Sequence, residues 1–280
     1  MTKTLLFLSI FSSVLAFSQE DLLKDIDTIS TSNTSSPPAF KALQIVTGQS
    51  TKLTAKNEWY FVVAHRFGDV SEGFKNFFGL DGASTKLGAI YGLTDGISLS
   101  LSRETNMKTF EFGAKYKLLK QNDNVPVDIV GYNVMAINTD LDKEAYPHLK
   151  FGDRLSYLTQ ALISRRFNDS FSLQLSPSYV HKNLYEPTIE SNNQFLTGLG
   201  GRYKISKRIS VNAEYFVNFD KNSFYKNPLS LGMDIETGGN VFQLLFSNSQ
   251  LNSDIGYLTN ATGKWEKGQV FFGFNLYRVF

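Results

Sequence analysis

The sequence predicts an all-β fold: an antiparallel up-and-down transmembrane β-barrel of about 12 strands, with short periplasmic turns and longer external loops. Three observations predict it. Apolar and polar residues alternate along most of the chain, and short and long connections follow each other in turn. The alternating stretches also match a tilted membrane crossing, which needs about 9–11 residues, better than the roughly 5–6 residues of an average soluble strand.

The alternation is clearest over residues 209–218. The odd-numbered residues from Ile209 to Val217 are apolar or aromatic, whereas Ser210, Asn212 and Glu214 lie between them. Strand side chains point alternately to two faces, so one face of this strand is expected to meet lipid and the other the barrel lumen. Phe216 is the one exception on the polar face.

The alternating stretches give the order of the elements. The predicted strands are residues 57–67, 85–93, 97–103, 108–119, 127–137, 154–167, 171–182, 194–204, 209–218, 229–236, 241–247 and 268–280. The tight connections are residues 94–96, 121–126, 168–170, 205–208 and 237–240. The longer ones are residues 68–84, 138–153, 183–193, 219–228 and 248–267, and only 104–107 is short on that side. An even number of strands places both ends of the barrel in the periplasm.

Alternation alone also fits a soluble β-sandwich, which is the main alternative, or a lipocalin-like barrel. The small residues and charges on the polar faces, the strand length and the loop lengths favour the membrane barrel. Charged residues make up 19% of the chain, below the roughly 25% of a soluble domain. Aromatic residues reach 14%, with 24 Phe and 13 Tyr. The predicted last strand ends in Phe280, which resembles the signal read by the barrel assembly machinery of the outer membrane. Outer-membrane lipid and that machinery are therefore the predicted partners.

Several classes of protein are excluded by composition. The 28 Lys and Arg residues nearly balance the 26 Asp and Glu residues, for a net charge of +2, so no nucleic-acid-binding surface is indicated. The chain has no cysteine, which excludes disulfides, thiolate metal sites and a catalytic cysteine. The mean hydropathy of −0.18 argues against a bundle of membrane helices.

The N-terminal region predicts export. Residues 1–18 have a basic start, an apolar stretch and small residues before Gln19, which is the layout of a cleaved signal peptide. An anchor helix is the alternative, although the apolar stretch is short for a membrane span. Residues 19–39 are predicted to be a flexible periplasmic segment and residues 40–280 the barrel domain, with strands from about residue 57. Residues 40–46 could form an extra strand or lie inside the lumen.

The polar face of the predicted strands carries charges of both signs. The candidate lumen-lining residues are Arg66, Glu111, Lys115, Arg166, Arg202, Glu214, Asp234 and Glu236. Buried charges need partners, so one interpretation is a non-conducting structural or interaction barrel, filled by ion pairs, that displays its external loops. The favoured interpretation is a narrow channel whose charged wall admits small polar solutes, because twelve strands enclose more space than the eight that side chains alone can fill.

Catalysis is not indicated. Three histidines, His65, His148 and His181, are predicted toward the external side, but no pair at ligand spacing and no carboxylate cluster accompanies them. A Gly-x-Ser-x-Gly nucleophile motif is absent, which weighs against an outer-membrane lipase. We therefore predict no enzyme activity, no cofactor and no metal site.

Six short stretches carry a family resemblance. They are residues 65–68 (HRFG), 77–82 (FFGLDG), 91–95 (YGLTD), 177–181 (PSYVH), 231–239 (LGMDIETGG) and 273–275 (GFN). Together they resemble a family of bacterial membrane-associated β-barrel proteins of unknown function, over roughly residues 40–280. The resemblance implies a barrel in the outer membrane. It implies no activity and assigns no functional residues.

Overall fold

A computed structural model describes residues 37–280. The predicted signal peptide, residues 1–18, and most of the predicted flexible segment lie outside the described residues. The strands are β1 (Trp59–Asp69), β2 (Ala83–Thr94), β3 (Ile97–Glu104), β4 (Thr109–Leu119), β5 (Asp128–Asn138), β6 (Leu155–Arg166), β7 (Phe171–Lys182), β8 (Asn193–Lys204), β9 (Ile209–Asn218), β10 (Leu229–Thr237), β11 (Asn240–Ser247) and β12 (Phe271–Val279).

The twelve strands form one closed barrel in which sequence neighbours pair antiparallel. The barrel closes between β1 and β12, with Tyr60 opposite Val279 and Arg66 opposite Gly273. The predicted fold class is confirmed, and most strand ends lie within a few residues of the prediction. β12 begins at Phe271 rather than at residue 268 because a 3-10 turn, Trp265–Lys267, ends at Gly268 in a left-handed conformation with φ 68°.

The two faces of the wall differ as the alternation predicts. On β10, Leu231 is exposed toward the outside, whereas Ser230 and Asp234 are buried inside. On β9, the exception Phe216 lies inside the barrel and is buried there. The outward apolar side chains form the surface that meets lipid.

Short helices occupy some of the connections. The 3-10 helices are Val70–Asn76, Asn106–Lys108, Phe151–Arg154 and Trp265–Lys267, and the one α-helix described, α1, is Asp254–Thr259. Among residues 37–280, none of these helices has the length and apolar character to cross a membrane.

Among residues 37–280, two segments that are not part of the wall lie inside the barrel. The first, residues 39–54, precedes β1 and is called the N-terminal plug. The second, residues 248–263, lies between β11 and β12 and is called the external plug; it contains α1. Residues 40–46 therefore lie in the lumen rather than forming an extra wall strand, and an isolated bridge joins Gln44 to Gln49. The connection 248–267, predicted as an external loop, turns inward over most of its length because its apolar residues Leu251, Ile255 and Leu258 are buried there.

The cost of burying a charge in lipid tests which face of the strands points outward. Leu199 lies near the middle of β8 and points outward, with 57% of its surface exposed in the absence of lipid. We expect Leu199→Arg to destabilise the refolded barrel by about 2–4 kcal/mol, the cost of an arginine near the bilayer midplane. The measurement is a urea unfolding titration in lipid vesicles.

The matched control is Tyr203→Arg, on the same outward face of β8 but next to the periplasmic turn. Its expected cost is about 0–1 kcal/mol, because the arginine side chain reaches the polar interface. Equal costs at the two positions would contradict the assignment of this face to lipid.

Candidate functional site

The N-terminal plug is held in the lumen by one carboxylate of the wall. Glu214 of β9 accepts hydrogen bonds from three successive backbone N–H groups, those of Val46 at 3.3 Å, Thr47 at 2.7 Å and Gly48 at 2.8 Å. A Cβ at Gly48 would lie 3.0 Å from both Glu214 and Phe216, so this residue allows the close approach. Glu214 is fully enclosed, with 2% of its surface exposed.

Other wall side chains complete the hydrogen bonding of this plug. The Nζ of Lys115 donates to the carbonyl oxygens of Leu43 and Ser50, both at 2.9 Å. Gln174 accepts from the N–H of Thr51 at 2.9 Å and donates to the carbonyl of Gln49 at 2.8 Å. An irregular buried segment has no ladder to satisfy its backbone, so polar wall side chains take that role.

The external plug is held in a similar way from the opposite side. Glu104 of β3 accepts from the N–H groups of Asn252 at 2.5 Å and Ser253 at 2.8 Å. Glu111 of β4 accepts from the N–H of Asp254 at 2.7 Å. Three successive N–H groups at the beginning of α1 thus face two wall carboxylates, an arrangement that the positive end of a helix favours.

An ion cluster lies beneath α1. The Nζ of Lys86 is 2.6 Å from Glu111 and 3.9 Å from Asp254. Tyr132 donates its hydroxyl proton to Asp254 at 2.6 Å. All four side chains are buried, so the charges are compensated by each other rather than by water.

The two plugs contact each other at the centre of the barrel. Gln49 of the N-terminal plug donates to Asp254 of the external plug at 2.9 Å. Tyr257 of α1 donates to Glu214 at 2.7 Å, the same carboxylate that holds residues 46–48. The positions of the two plugs are therefore coupled through Glu214 and Asp254.

One side of the lumen is apolar. Buried residues of β5 to β9 pack against Ile255, Tyr257 and Leu258 of the external plug. The wall members of this cluster are Val130, Tyr132, Val134, Ala136, Leu158, Leu162, Val180, Leu196 and Phe216. The rings of Phe216 and Tyr257 meet edge to face with centroids 5.9 Å apart. This contact fixes α1 against the wall by apolar burial as well as by hydrogen bonds.

The lumen along β2 and β3 is incompletely filled. A cavity of about 50 Å³ lies there between the wall and the plugs. Its lining combines the small wall residues Gly88, Ser98, Ser100 and Ser102 and the charged Lys86 and Glu111 with apolar or aromatic side chains such as Val62, Ile90 and Tyr277. That volume holds a few water molecules. The small side chains leave a gap between the wall and the plugs.

Seven of the eight predicted lumen residues are buried inside the barrel, and three of them, Glu111, Lys115 and Glu214, form hydrogen bonds to the backbone of the plugs. Arg66 donates to the side chains of Asn275 at 2.9 Å and Thr47 at 3.2 Å. Among residues 37–280 it has no carboxylate within 4.0 Å. Whether any of these residues lines a solute path stays a prediction.

Of the four remaining predicted lumen residues, three lie together near the periplasmic end of the barrel and the fourth lies apart. Arg202 forms an ion pair with Glu236 and donates to Ser210 at 3.0 Å. Asp234 accepts from Gln243 at 2.7 Å. Arg166 is not part of this group, because it lies beside the turn after β6 and pairs with the exposed Asp169 at 2.6 Å.

Several residues of the site were not among the predicted candidates. Glu104 and Lys86 lie on the inward face of their strands, which they share with serines. The alternation of β2 could therefore have identified Lys86 as a lumen residue. Glu104 lay just beyond the predicted third strand, which ended at residue 103. Asp254 and Tyr257 belong to a connection without strand periodicity, so their inward positions had no comparable signal.

The histidines do not come together. His65 contacts Thr85 at 2.8 Å on the wall, and His181 contacts Asn193 at 2.8 Å. Within residues 37–280 no group of three or more His, Asp or Glu side chains is arranged to hold a metal ion.

The fold and the site define a transmembrane β-barrel of the outer-membrane type whose lumen contains two inserted segments. The model of the membrane bound beta barrel domain family, DUF5777, matches residues 40–280, and the chain belongs to this family. The protein therefore lies in outer-membrane lipid, as predicted. A comparison with curated proteins gave no match.

Three solved structures are similar to this chain. The NanC porin is 10% identical with a TM-score of 0.51, over 79% of this chain and 98% of the porin. The KdgM porin is 10% identical with a TM-score of 0.49, over 80% and 99%. The COG4313 outer membrane channel from Pseudomonas putida F1 is 11% identical with a TM-score of 0.47, over 82% and 97%. At this identity, the similarity to NanC supports the barrel fold and no more.

Proposed function

We propose that the protein is a narrow outer-membrane channel for small polar solutes, closed in the present state by the N-terminal and external plugs. The observation that carries the proposal is the unfilled gap along β2 and β3, where the small wall residues Gly88, Ser98, Ser100 and Ser102 line a cavity beside the plugs. A wall meant only to be filled could have used larger apolar side chains there, as β5 and β6 do.

The N-terminal plug is the segment whose movement would open this path. Its hydrogen bonds to wall side chains such as Glu214, Lys115 and Gln174 are ones that water can replace when the segment leaves. Its apolar side chains, among them Leu43 and Val46, also pack on the wall, and these contacts would be lost on opening. The external plug is tied to the barrel at both ends, by β11 and β12, and α1 packs on the apolar cluster.

A non-conducting barrel that displays its external loops is the second candidate, and the apolar packing of α1 favours it. Neither candidate includes a catalytic step.

The barrel assembly machinery is the proposed partner of β12. Phe280, the residue that follows this strand, donates its N–H to the carbonyl of Trp59 at 2.9 Å, and its side chain is exposed.

A disulfide that locks the N-terminal plug tests the proposal. The hydroxyl oxygens of Thr51 and Ser164 of β6 are 2.6 Å apart, so the two side chains are in contact, and Thr51→Cys with Ser164→Cys is the chosen disulfide pair. Because the chain has no cysteine, this would be the only disulfide. We expect unit conductance in planar bilayers from the reduced variant and none from the oxidised one.

The control pair is Asn133→Cys with Thr159→Cys, two outward residues that face each other on β5 and β6. Oxidising this pair should leave the current unchanged. Current through the oxidised plug variant would overturn the role of the N-terminal plug. Silence of the wild type, the reduced variant and a Glu214→Ala variant would overturn the channel in favour of the non-conducting barrel.

A further inference from the structure

A second cavity lies on the external side, above α1. It has a volume of about 250 Å³ and is called the external vestibule; its lining includes Tyr146, Arg154, Lys182, Tyr185, Tyr225 and Asn260. The volume is slightly below the roughly 300–1,000 Å³ of pockets for drug-sized ligands. Three external connections contribute one tyrosine each, and the external plug forms the floor through Ser253, Gly256 and Asn260.

The polar side chains beside this floor hold one another in place. Lys182 donates to Glu190 at 2.6 Å and to Asn260 at 3.0 Å, and Gln194 donates to the same oxygen of Glu190 at 2.8 Å. Lys182, Glu190 and Gln194 are buried. A network with its partners already in place offers a ligand a defined set of donors and acceptors without reorganisation.

The walls are held together by contacts between loops. Ser191 donates its N–H and hydroxyl to Asp220 at 2.7 and 2.9 Å, which joins the connection that carries Tyr185 to the one that carries Tyr225. Burial alone would raise the pKa of Asp220, but the hydrogen bonds from Ser191 and from the N–H of Asn222 outweigh it and lower the pKa. The N–H of Lys226 donates to the carbonyl of Ala261 at 2.8 Å, which ties the same connection to the external plug.

The side chains above this floor combine aromatic faces with hydrogen-bonding groups of both kinds. Tyr146 and Tyr185 are about two-fifths exposed, at 43% and 37%, so their rings are accessible. Arg154 donates one hydrogen bond, from Nη1 to the carbonyl of Asn138 at 3.2 Å. Within the part of the chain that the structure describes, it has no ion-pair partner, so further guanidinium donors are available to a ligand.

We propose that the external vestibule binds a saccharide of one or two sugar rings. Sugar rings present apolar C–H faces that suit tyrosine rings, and hydroxyl groups that both donate and accept, as the arginine, asparagine and glutamate side chains here require. The site is distinct from the gap along β2 and β3 and does not depend on conduction. Free sugars and the sugars of lipopolysaccharide share this chemistry.

Saturation-transfer NMR on the refolded mature chain tests the site, in a detergent without a sugar headgroup. The probes are glucose, galactose, maltose and lactose in one arm and purified lipopolysaccharide in the other. We expect saturable binding in at least one arm, and the arm that binds identifies the source of the sugar. Tyr185→Ala, Tyr225→Ala and Arg154→Met should each weaken binding by about tenfold.

Tyr203→Ala is the matched control, because Tyr203 is an exposed outward tyrosine at the periplasmic end of β8. Binding should not change in this variant, and heat-modifiable gel migration checks that every variant is folded. Absence of saturable binding in both arms would overturn the proposal. So would binding that all four substitutions leave at the same strength.

Discussion

Removal of the Glu214 carboxylate is expected to release the N-terminal plug from the lumen. Glu214→Ala leaves the N–H groups of residues 46–48 and the hydroxyl of Tyr257 without their acceptor in a buried site. Hydrogen bonds to a charged group contribute roughly 1.5–3 kcal/mol each, and they are not additive, so we expect a loss of roughly 3 kcal/mol or more in the stability of the bound plug.

Limited trypsin digestion of the refolded protein measures this release. Lys52 lies in the N-terminal plug and is only partly exposed, so cleavage after it reports the fraction of protein in which the plug has left. We expect cleavage at least about tenfold faster in Glu214→Ala. Glu266→Ala, at an exposed glutamate beside β12, should leave the rate unchanged. Equal rates in the wild type and both variants would contradict the role of Glu214.

Truncation of Tyr257 is expected to have the largest effect on the external plug. Its side chain is 1% exposed, its ring packs on Phe216, and its hydroxyl contacts both Glu214 and Ser230. Replacing a buried aromatic side chain with alanine costs about 3–5 kcal/mol. We therefore expect Tyr257→Ala to lower the unfolding free energy by that amount, measured by urea titration of the refolded barrel.

Tyr257→Phe separates the ring from the hydroxyl. It keeps the packing on Phe216 and removes only the hydrogen bonds, so we expect a cost of about 1–3 kcal/mol. Combined with Glu214→Gln, it should show a coupling energy of about 0.5 kcal/mol or more, because the two groups share one hydrogen bond. A cost below about 1 kcal/mol for Tyr257→Ala would show that the external plug does not depend on this residue.

The sequence predicted the wall far better than it predicted the lumen contents. A strand such as β9 shows its two faces through alternation, because lipid on one side and polar groups on the other impose different side chains. The plugs are irregular, and their positions depend on single contacts such as that between Glu214 and Gly48. Local periodicity contains no information about such distant pairs.

β5 shows a further limit of the alternation rule. Its apolar residues Val130, Tyr132 and Val134 face the lumen, whereas Gly131 and Asn133 face outward. The inward face is apolar here because these residues pack against α1, while Met135 and Ile137 keep the outward face partly apolar as well. Outside the barrel, the ring of Tyr116 lies over Gly131 where a Cβ would overlap it, and its hydroxyl donates to Asn133 at 2.9 Å. An aromatic side chain thus covers the glycine toward lipid.

The contact between Glu214 and the N-terminal plug has a consequence for the order of assembly. The bonded residues are 166–168 positions apart in the chain, so the N-terminal plug obtains this partner only after eight strands have followed it in the chain. Contacts between such distant positions form late, because the intervening chain must first be ordered. β1, which directly follows the plug, also pairs with the last strand. Closure of the barrel and enclosure of its N-terminal segment therefore belong to the same final stage of folding, and a barrel that closed earlier would leave that segment outside.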